Sequence, residues 1–206
     1  MVKERKRIGI LGGAFDPIHY GHLLIAENAA AQYDLDEVIF MPTGQSPHKA
    51  KEYVTEAAHR CEMVRLAIAD NPLFSLSRLE VDSEEIDYTY LTLETLKAQN
   101  PEQDYFFILG GDSLKDFQDW LHPERILAAA CLLAAVRDDM EGSEFKQQLA
   151  RLNEWYGQER VFRMYTPNVS VSSHEIRRRI SEGKTVRYML PEAVRTYIMD
   201  QKLYEM

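Results

Sequence analysis

The sequence predicts an α/β fold: a Rossmann-like, doubly wound, mainly parallel sheet with helices on both faces, as a single domain over residues 1–206. Three observations predict it. Short apolar runs (RIGILGG, EVIFMP, DYFFILGG, CLLAAVRD) alternate with segments of helical periodicity along the chain. The first and third of these runs end in paired glycines, the punctuation of a strand-to-helix turn. No repeat, low-complexity tract or linker interrupts the alternation.

The elements follow in order. RIGILGG is a buried strand, and HYGHLLIAENAAAQYDL a helix with Leu23, Leu24, Ala26, Ala30 and Tyr33 at helical spacing. EVIFMP, closed by Pro42, is a second strand. TGQSPHKAKEY is then a loop of about ten residues, long enough to suggest a functional segment. TEAAHRCEMVRLAIAD is a helix with Thr55 as its cap. LFSLSRLEV, which alternates in part, is a strand, and YTYLTLETLKAQN a helix. DYFFILGGDS and CLLAAVRD are strands, EFKQQLARLNEWYG a helix and VFRMY a strand. SSHEIRRRISEG and LPEAVRTYIMDQKL are closing helices.

Composition narrows the function. Hydrophobic residues make up 45% and charged residues 28%, ordinary for a globular chain. A net charge of −9 argues against a nucleic-acid binder, so anionic ligands would need local cations and helix N-termini. Cys61 and Cys131 have no CxxC neighbour, which fits a reduced, cytoplasmic compartment. The apolar run after the basic start is too short for a signal peptide, and no stretch approaches a membrane span. Without secretion, the NVS at Asn168 is a chance match to a glycosylation site.

The chemistry concentrates in GGAFDPIHYGH, residues 12–22. In an open α/β sheet ligands bind at the carboxyl ends of strands, and Gly12 and Gly13 fall at the first of these. They permit close backbone approach, and the next helix points free amides at the same place. His19 and His22, at i and i+3, share the first turn of that helix, as donors to charge on a transferred phosphoryl group would. Competing motifs fail on spacing. Leu11 stands where a dinucleotide fingerprint needs its second glycine, and Arg178 where a Walker loop ending in Gly183–Thr185 needs its first. No HExxH or other ligand set accompanies the histidines, so zinc is disfavoured. Serine–histidine and cysteine–histidine nucleophile sets are likewise unrecognisable.

A second motif, VSVSSHEIRRRISEG, places Ser172 and Ser173 where helix caps stand, with Arg177, Arg178 and Arg179 behind them. By itself it reads as an ordinary cap followed by a solvated basic face; beside the first motif it reads instead as a source of cations for the phosphates. Asp112 in LGGDS is either a helix cap or a ribose ligand, and Arg60 either a site cation or a surface charge.

GGAFDPIHYGH resembles the signature of the nucleotidylyltransferase superfamily, whose second half is an [HT]-x-G-H tetrad, here HYGH. Over nearly its whole length the chain resembles the bacterial nicotinate-nucleotide adenylyltransferase family within it. That resemblance implies transfer of AMP from ATP to nicotinate mononucleotide, with Mg²⁺ bridging the substrate phosphates and no dedicated protein metal ligand. It implies His19, His22 and Arg177 as catalytic residues, and ATP contacts from Gly12, Gly13, Ala14, Phe15, Gly110, Asp112, Ser172 and Ser173. Ala14 stands where the family often has a hydroxyl. Arg178 and Arg179 point to other helix faces than Arg177.

For the acceptor, the resemblance implies Thr43, His48 and Lys49 in the loop after the second strand, Tyr88 and Thr89 in DYTY, Trp120 and Arg137. The nucleophile is a phosphate oxygen, already anionic, so no general base is needed. Partners would be the two nucleotides, without nucleic acid or membrane, and self-association into a homo-oligomer stays open. Two rivals remain: a related transferase with another acceptor, and a nucleotide sensor without catalysis, which loss of a tetrad histidine would have favoured. Phosphopantetheine adenylyltransferases are usually shorter.

Overall fold

Runs buried on both sides need a sheet covered on both faces, and that is what forms. The computed structural model describes residues 5–44, 55–83, 87–137 and 143–205, with only the backbone at 112, 137, 143 and 144. Its strands are β1 (Arg7–Gly13), β2 (Glu37–Pro42), β3 (Phe74–Leu76), β4 (Asp104–Gly110), β5 (Ala130–Arg137) and β6 (Val161–Thr166). They pair in the order β3-β2-β1-β4-β5-β6, every pairing parallel. The order reverses between β1 and β4, and there the two connections leave toward opposite faces and open a crevice at the strand ends.

The helices are α1 (Tyr20–Gln32), α2 (Ala57–Ala67), α3 (Thr89–Gln99), α4 (Gly111–Lys115), α5 (Pro123–Ala129), α6 (Ser143–Tyr156), α7 (Ser173–Ser181) and α8 (Glu192–Asp200). Successive strand residues feed two cores, as the period of two requires. Leu11, Ile108 and Leu133 pack with Ala26 and Ala29 of α1, Met63 and Val64 of α2, Ile176 of α7 and Val194 of α8. Ile8, Ile10, Leu109 and Leu132 pack on the other face with Leu93 of α3, Ile126 of α5 and Leu152 of α6.

Four expectations need correction. The LFSLSRLEV strand stops at Leu76, because β3 is an edge strand paired only with β2 over Val38–Phe40. Beyond it the chain turns, held by the Asp82 amide on the Arg78 carbonyl at 2.9 Å and by an Arg78–Asp82 ion pair. α1 ends at Gln32, before Asp34 takes a left-handed φ of 45°. α2 is capped by Glu56 rather than Thr55, whose buried amide instead donates to Asp16 Oδ2. Finally, α4, a short 3₁₀ turn (Phe117–Asp119) and α5 fill the β4–β5 connection, each too brief to show a periodic signal in sequence.

Candidate active site

The loop after β1 is built from inside outward. Phe15 is 2% exposed at φ 48° and meets the His22 ring edge-on at 5.0 Å and Phe40 at 5.8 Å. Its side chain is therefore core, and it shelves the histidine above it. His19 is the N-terminal cap of α1 and 6% exposed. Its ring stacks on His22 with centroids 3.8 Å apart, and its backbone amide donates to His22 Nδ1 at 3.2 Å. An acceptor Nδ1 leaves the neutral His22 ring with its proton on Nε2.

Burial pushes the His19 pKa down to about 4, so this ring is neutral near pH 7. The glycine of the tetrad has a steric reason. A Cβ on Gly21 would stand 3.0 Å from both Cε1 and Nδ1 of His19.

The second motif is bolted to the first. Ser172 caps α7, accepting from the Glu175 amide at 3.2 Å. Ser173 Oγ donates to the Pro17 carbonyl at 2.9 Å, and Arg177 Nη1 to the Asp16 carbonyl at 2.6 Å. Between the motifs lies a pocket of about 330 Å³, lined by His19, Gly21, His22, Thr166, Ser172 and Ser173 among others. Arg178 pairs with Glu175 and Glu182, and Arg179 bonds the Thr185 carbonyl, so both belong to the outer helix surface.

Across the β1 end lies a second pocket, of about 480 Å³. Gly12, Gly13, Thr43, Tyr88, Thr89 and Trp120 line it together with Glu80, Asp87, Phe107 and Asp119. The Trp120 indole is braced edge-on against Phe107, and α3 opens into the pocket with Tyr88 as a cap that supplies no side-chain bond. The Gly44 amide donates to Asp87 Oδ2 at 2.8 Å, and a Cβ on Gly44 would collide with the Glu80 carbonyl. Burial, reinforced by the charge of Asp87, pushes the Glu80 pKa up to about 7, although Thr92 Oγ1 donates to its carboxylate at 2.9 Å.

The structure thus gathers ten of the sequence-predicted residues into two pockets: Gly12, Gly13, Thr43, Tyr88, Thr89 and Trp120 in one, His19, His22, Ser172 and Ser173 in the other. Arg177 stands beside them, its side chain 30% accessible. Gly110 caps α4, with Asp112 in that helix's first turn. The Asp112 and Arg137 side chains, and His48 and Lys49 altogether, lie outside the described residues. Among the described residues, no three His, Cys, Asp or Glu side chains group as a metal cage.

Arg60 is neither a site cation nor a surface charge. It is 3% exposed and donates at 2.8 Å to each of the Thr55, Ala14 and Thr43 carbonyls, tying the β1 loop to the β2 end. Burial lowers its pKa, and the nearby Asp16 carboxylate opposes that shift. Sequence reading also passed over Glu80 and Asp87. Glu80 falls in the LFSLSRLEV run that reads as strand, and Asp87 opens the DYTY stretch, where the resemblance singles out Tyr88 and Thr89.

Comparison with known proteins identifies the family and the fold. The family model described as cytidylyltransferase-like matches residues 10–179. A Lachnoclostridium phytofermentans protein named "Probable nicotinate-nucleotide adenylyltransferase" is 42% identical over 199 residues, covering 97% of this chain and 99% of that one. A Thermoanaerobacter protein of the same name is 38% identical over 205 residues, covering 99% and 97%. Among solved structures, Plasmodium falciparum nicotinic acid mononucleotide adenylyltransferase complexed with NaAD shares the fold. Its TM-score is 0.79 at 22% identity, with 97% of each chain covered.

Proposed function

We propose a function from the premise that the chain belongs to the nicotinate-nucleotide adenylyltransferase family, within the cytidylyltransferase-like group. It transfers AMP from ATP to nicotinate mononucleotide, giving nicotinic acid adenine dinucleotide and pyrophosphate for NAD synthesis. One observation supports this: a pocket opens on either side of the β1 loop, one lined by the histidine and serine pairs, the other by Gly12, Gly13, an aromatic wall and the start of α3. On this reading a phosphate from each side meets at the β1 loop, where Gly12 and Gly13 carry no side chain of their own.

Each residue then has a task. The pyridine ring stacks on Trp120, and its carboxylate meets Thr89 and the open amides of α3 beside Tyr88. Thr43, His48, Lys49 and Arg137 serve the acceptor's phosphate end. ATP lies over the other pocket, with Ser172, Ser173 and Arg177 toward the β- and γ-phosphates, and Gly110 and Asp112 toward the ribose. Ala14 and Phe15 contribute backbone only.

An acceptor phosphate oxygen attacks the α-phosphorus as the bond to the pyrophosphate oxygen breaks, so catalysis is positioning plus charge stabilisation. His22 donates from Nε2 to the oxygens that gain charge, and neutral His19 fixes the ring that does so. Mg²⁺ would be held on the triphosphate oxygens, which suit its hard-ligand preference, and would neutralise charge there. The setting is the cytosol.

Pyrophosphate release from ATP and Mg²⁺, with nicotinate and nicotinamide mononucleotides offered separately, tests the assignment. Release with the nicotinate form is expected. Release with neither would overturn the acceptor.

A further inference from the structure

We propose that Tyr204, near the end of the chain, is a positioning residue for phosphate binding: by occupying Asp16 it keeps the Arg177 guanidinium available to ATP. The inference rests on the phosphate role given to Arg177 above.

Asp16 is 4% exposed in the loop between the glycines and the histidines. A buried carboxylate must have both oxygens satisfied or it draws in whatever donor stands nearest. Here Tyr204 Oη donates to Oδ1 at 2.6 Å, and the Thr55 amide to Oδ2 at 3.2 Å. Arg177 Nη1 forms only a long ion pair with Oδ2, at 4.0 Å, and gives its hydrogen bond to the Asp16 backbone carbonyl. Arg60, the other guanidinium near this carboxylate, is bonded to three backbone carbonyls.

Remove the phenol, and Oδ1 loses its partner. Arg177 now donates to a neutral carbonyl, whereas the freed carboxylate oxygen offers it an opposite full charge, so Arg177 would close onto Asp16. A guanidinium neutralised by an internal carboxylate is lost to an external phosphate. The phenol prevents this without adding charge, since burial and the Asp16 carboxylate both push its pKa up and keep it a donor.

The chain end is shaped for this contact. After α8, the Leu203 amide returns to the Ile198 carbonyl at 3.0 Å, and Lys202 and Tyr204 take left-handed φ values of 51° and 66°. Bulky residues adopt that region only when packing enforces it. Leu203 and Tyr204 pack against the core that α8 shares with α1 and α2.

The test is Tyr204→Phe in the full chain, which keeps the packed ring and deletes the hydroxyl. ATP and inorganic pyrophosphate are titrated calorimetrically without acceptor, alongside steady-state kinetics and thermal midpoints. Tyr33→Phe is the control, since Tyr33 Oη donates to the Arg163 carbonyl at 2.6 Å, away from both pockets. Tyr204→Phe should weaken ATP and pyrophosphate by about three- to tenfold and raise the ATP KM by the same factor. The acceptor KM should hold, and Tyr33→Phe should bind as the wild type does. Unchanged ATP affinity in Tyr204→Phe would overturn the proposal, as would an equal loss in Tyr33→Phe, which would mark general loosening. A wild type that binds ATP yet transfers AMP to neither mononucleotide would overturn the acceptor assignment alone, and the binding comparison would still decide the role of Tyr204.

Discussion

His22 Nδ1 takes its hydrogen bond from the backbone amide of His19, 3.2 Å away, and the two rings stack at 3.8 Å. The same bond caps α1 and leaves Nε2 as the nitrogen that carries the proton of the neutral ring. Replacing His22 with alanine should therefore lower turnover by about 10² or more. Asparagine can imitate Nδ1 and hold the cap but offers nothing at the Nε2 position, so it should be as slow as alanine yet more stable. Glutamine places an amide donor near Nε2 and should recover part of the rate. A His22→Asn enzyme at wild-type turnover would remove His22 from the chemistry.

Gly21→Ala separates activity from stability. The added methyl stands 3.0 Å from the His19 ring, which must tilt and carry the stacked His22 with it. At a helical position alanine is otherwise preferred by up to about 1 kcal/mol. Turnover should drop by about tenfold or more while the thermal midpoint holds within a few degrees. Parallel calorimetry and kinetics would check this.

Arg60→Met should be among the most destabilising substitutions away from the cores. It strips the donors from three carbonyls and leaves Arg177 as the cation beside Asp16. A loss of about 3 kcal/mol is expected in urea unfolding. Lysine, a single point donor, should restore only a minor part.

Two pocket residues shape stability against pH in opposite senses. Folded Glu80 titrates at about 7 against 4.5 when unfolded, so the folded chain holds the extra proton and stability falls as pH rises through that window. Folded His19 titrates at about 4 against 6.5, so the unfolded chain holds the extra proton and stability falls as pH drops toward 4. Glu80→Gln keeps the Thr92 bond and removes the first effect. Relative to wild type, its thermal midpoint should rise progressively between about pH 5 and pH 8. A pH-independent difference would contradict the protonated Glu80.

Trp120→Ala should raise the acceptor KM by about tenfold or more, because it removes the face on which the ring stacks, and should leave the ATP KM unchanged. Trp120→Phe should fall between. Equal effects on both substrates would place Trp120 in the core rather than at the ring.

Much of this molecule is written locally. HYGH puts two imidazoles on one helical turn by spacing alone. Ser172 is a cap because its hydroxyl reaches an amide three residues on. Apolar runs ended by glycines give parallel strands, and their alternation with helices gives the doubly wound order. Each of these depends on neighbours within a turn or a strand, where residue type fixes geometry directly.

Other features were settled by what the folded chain brings together. Arg60 lies on a helix beside Cys61, Met63 and Val64, and periodicity cannot say that an arginine shares their buried side. Glu80 belongs to a run that alternates like a strand, but the edge of the sheet ends before it, and the turn carries it into a pocket. Tyr204 and Asp16 stand 188 residues apart, and nothing near either one signals the other. Sequence by itself determined most of the strands and the longer helices, and the histidine and serine motifs that line a pocket, because these rest on local propensity and short spacings. Tertiary structure alone decided how charge is distributed among them, because burial and long-range hydrogen bonds choose which arginine is a staple, which carboxyl is pushed up toward neutral pH and which tyrosine meets the buried Asp16.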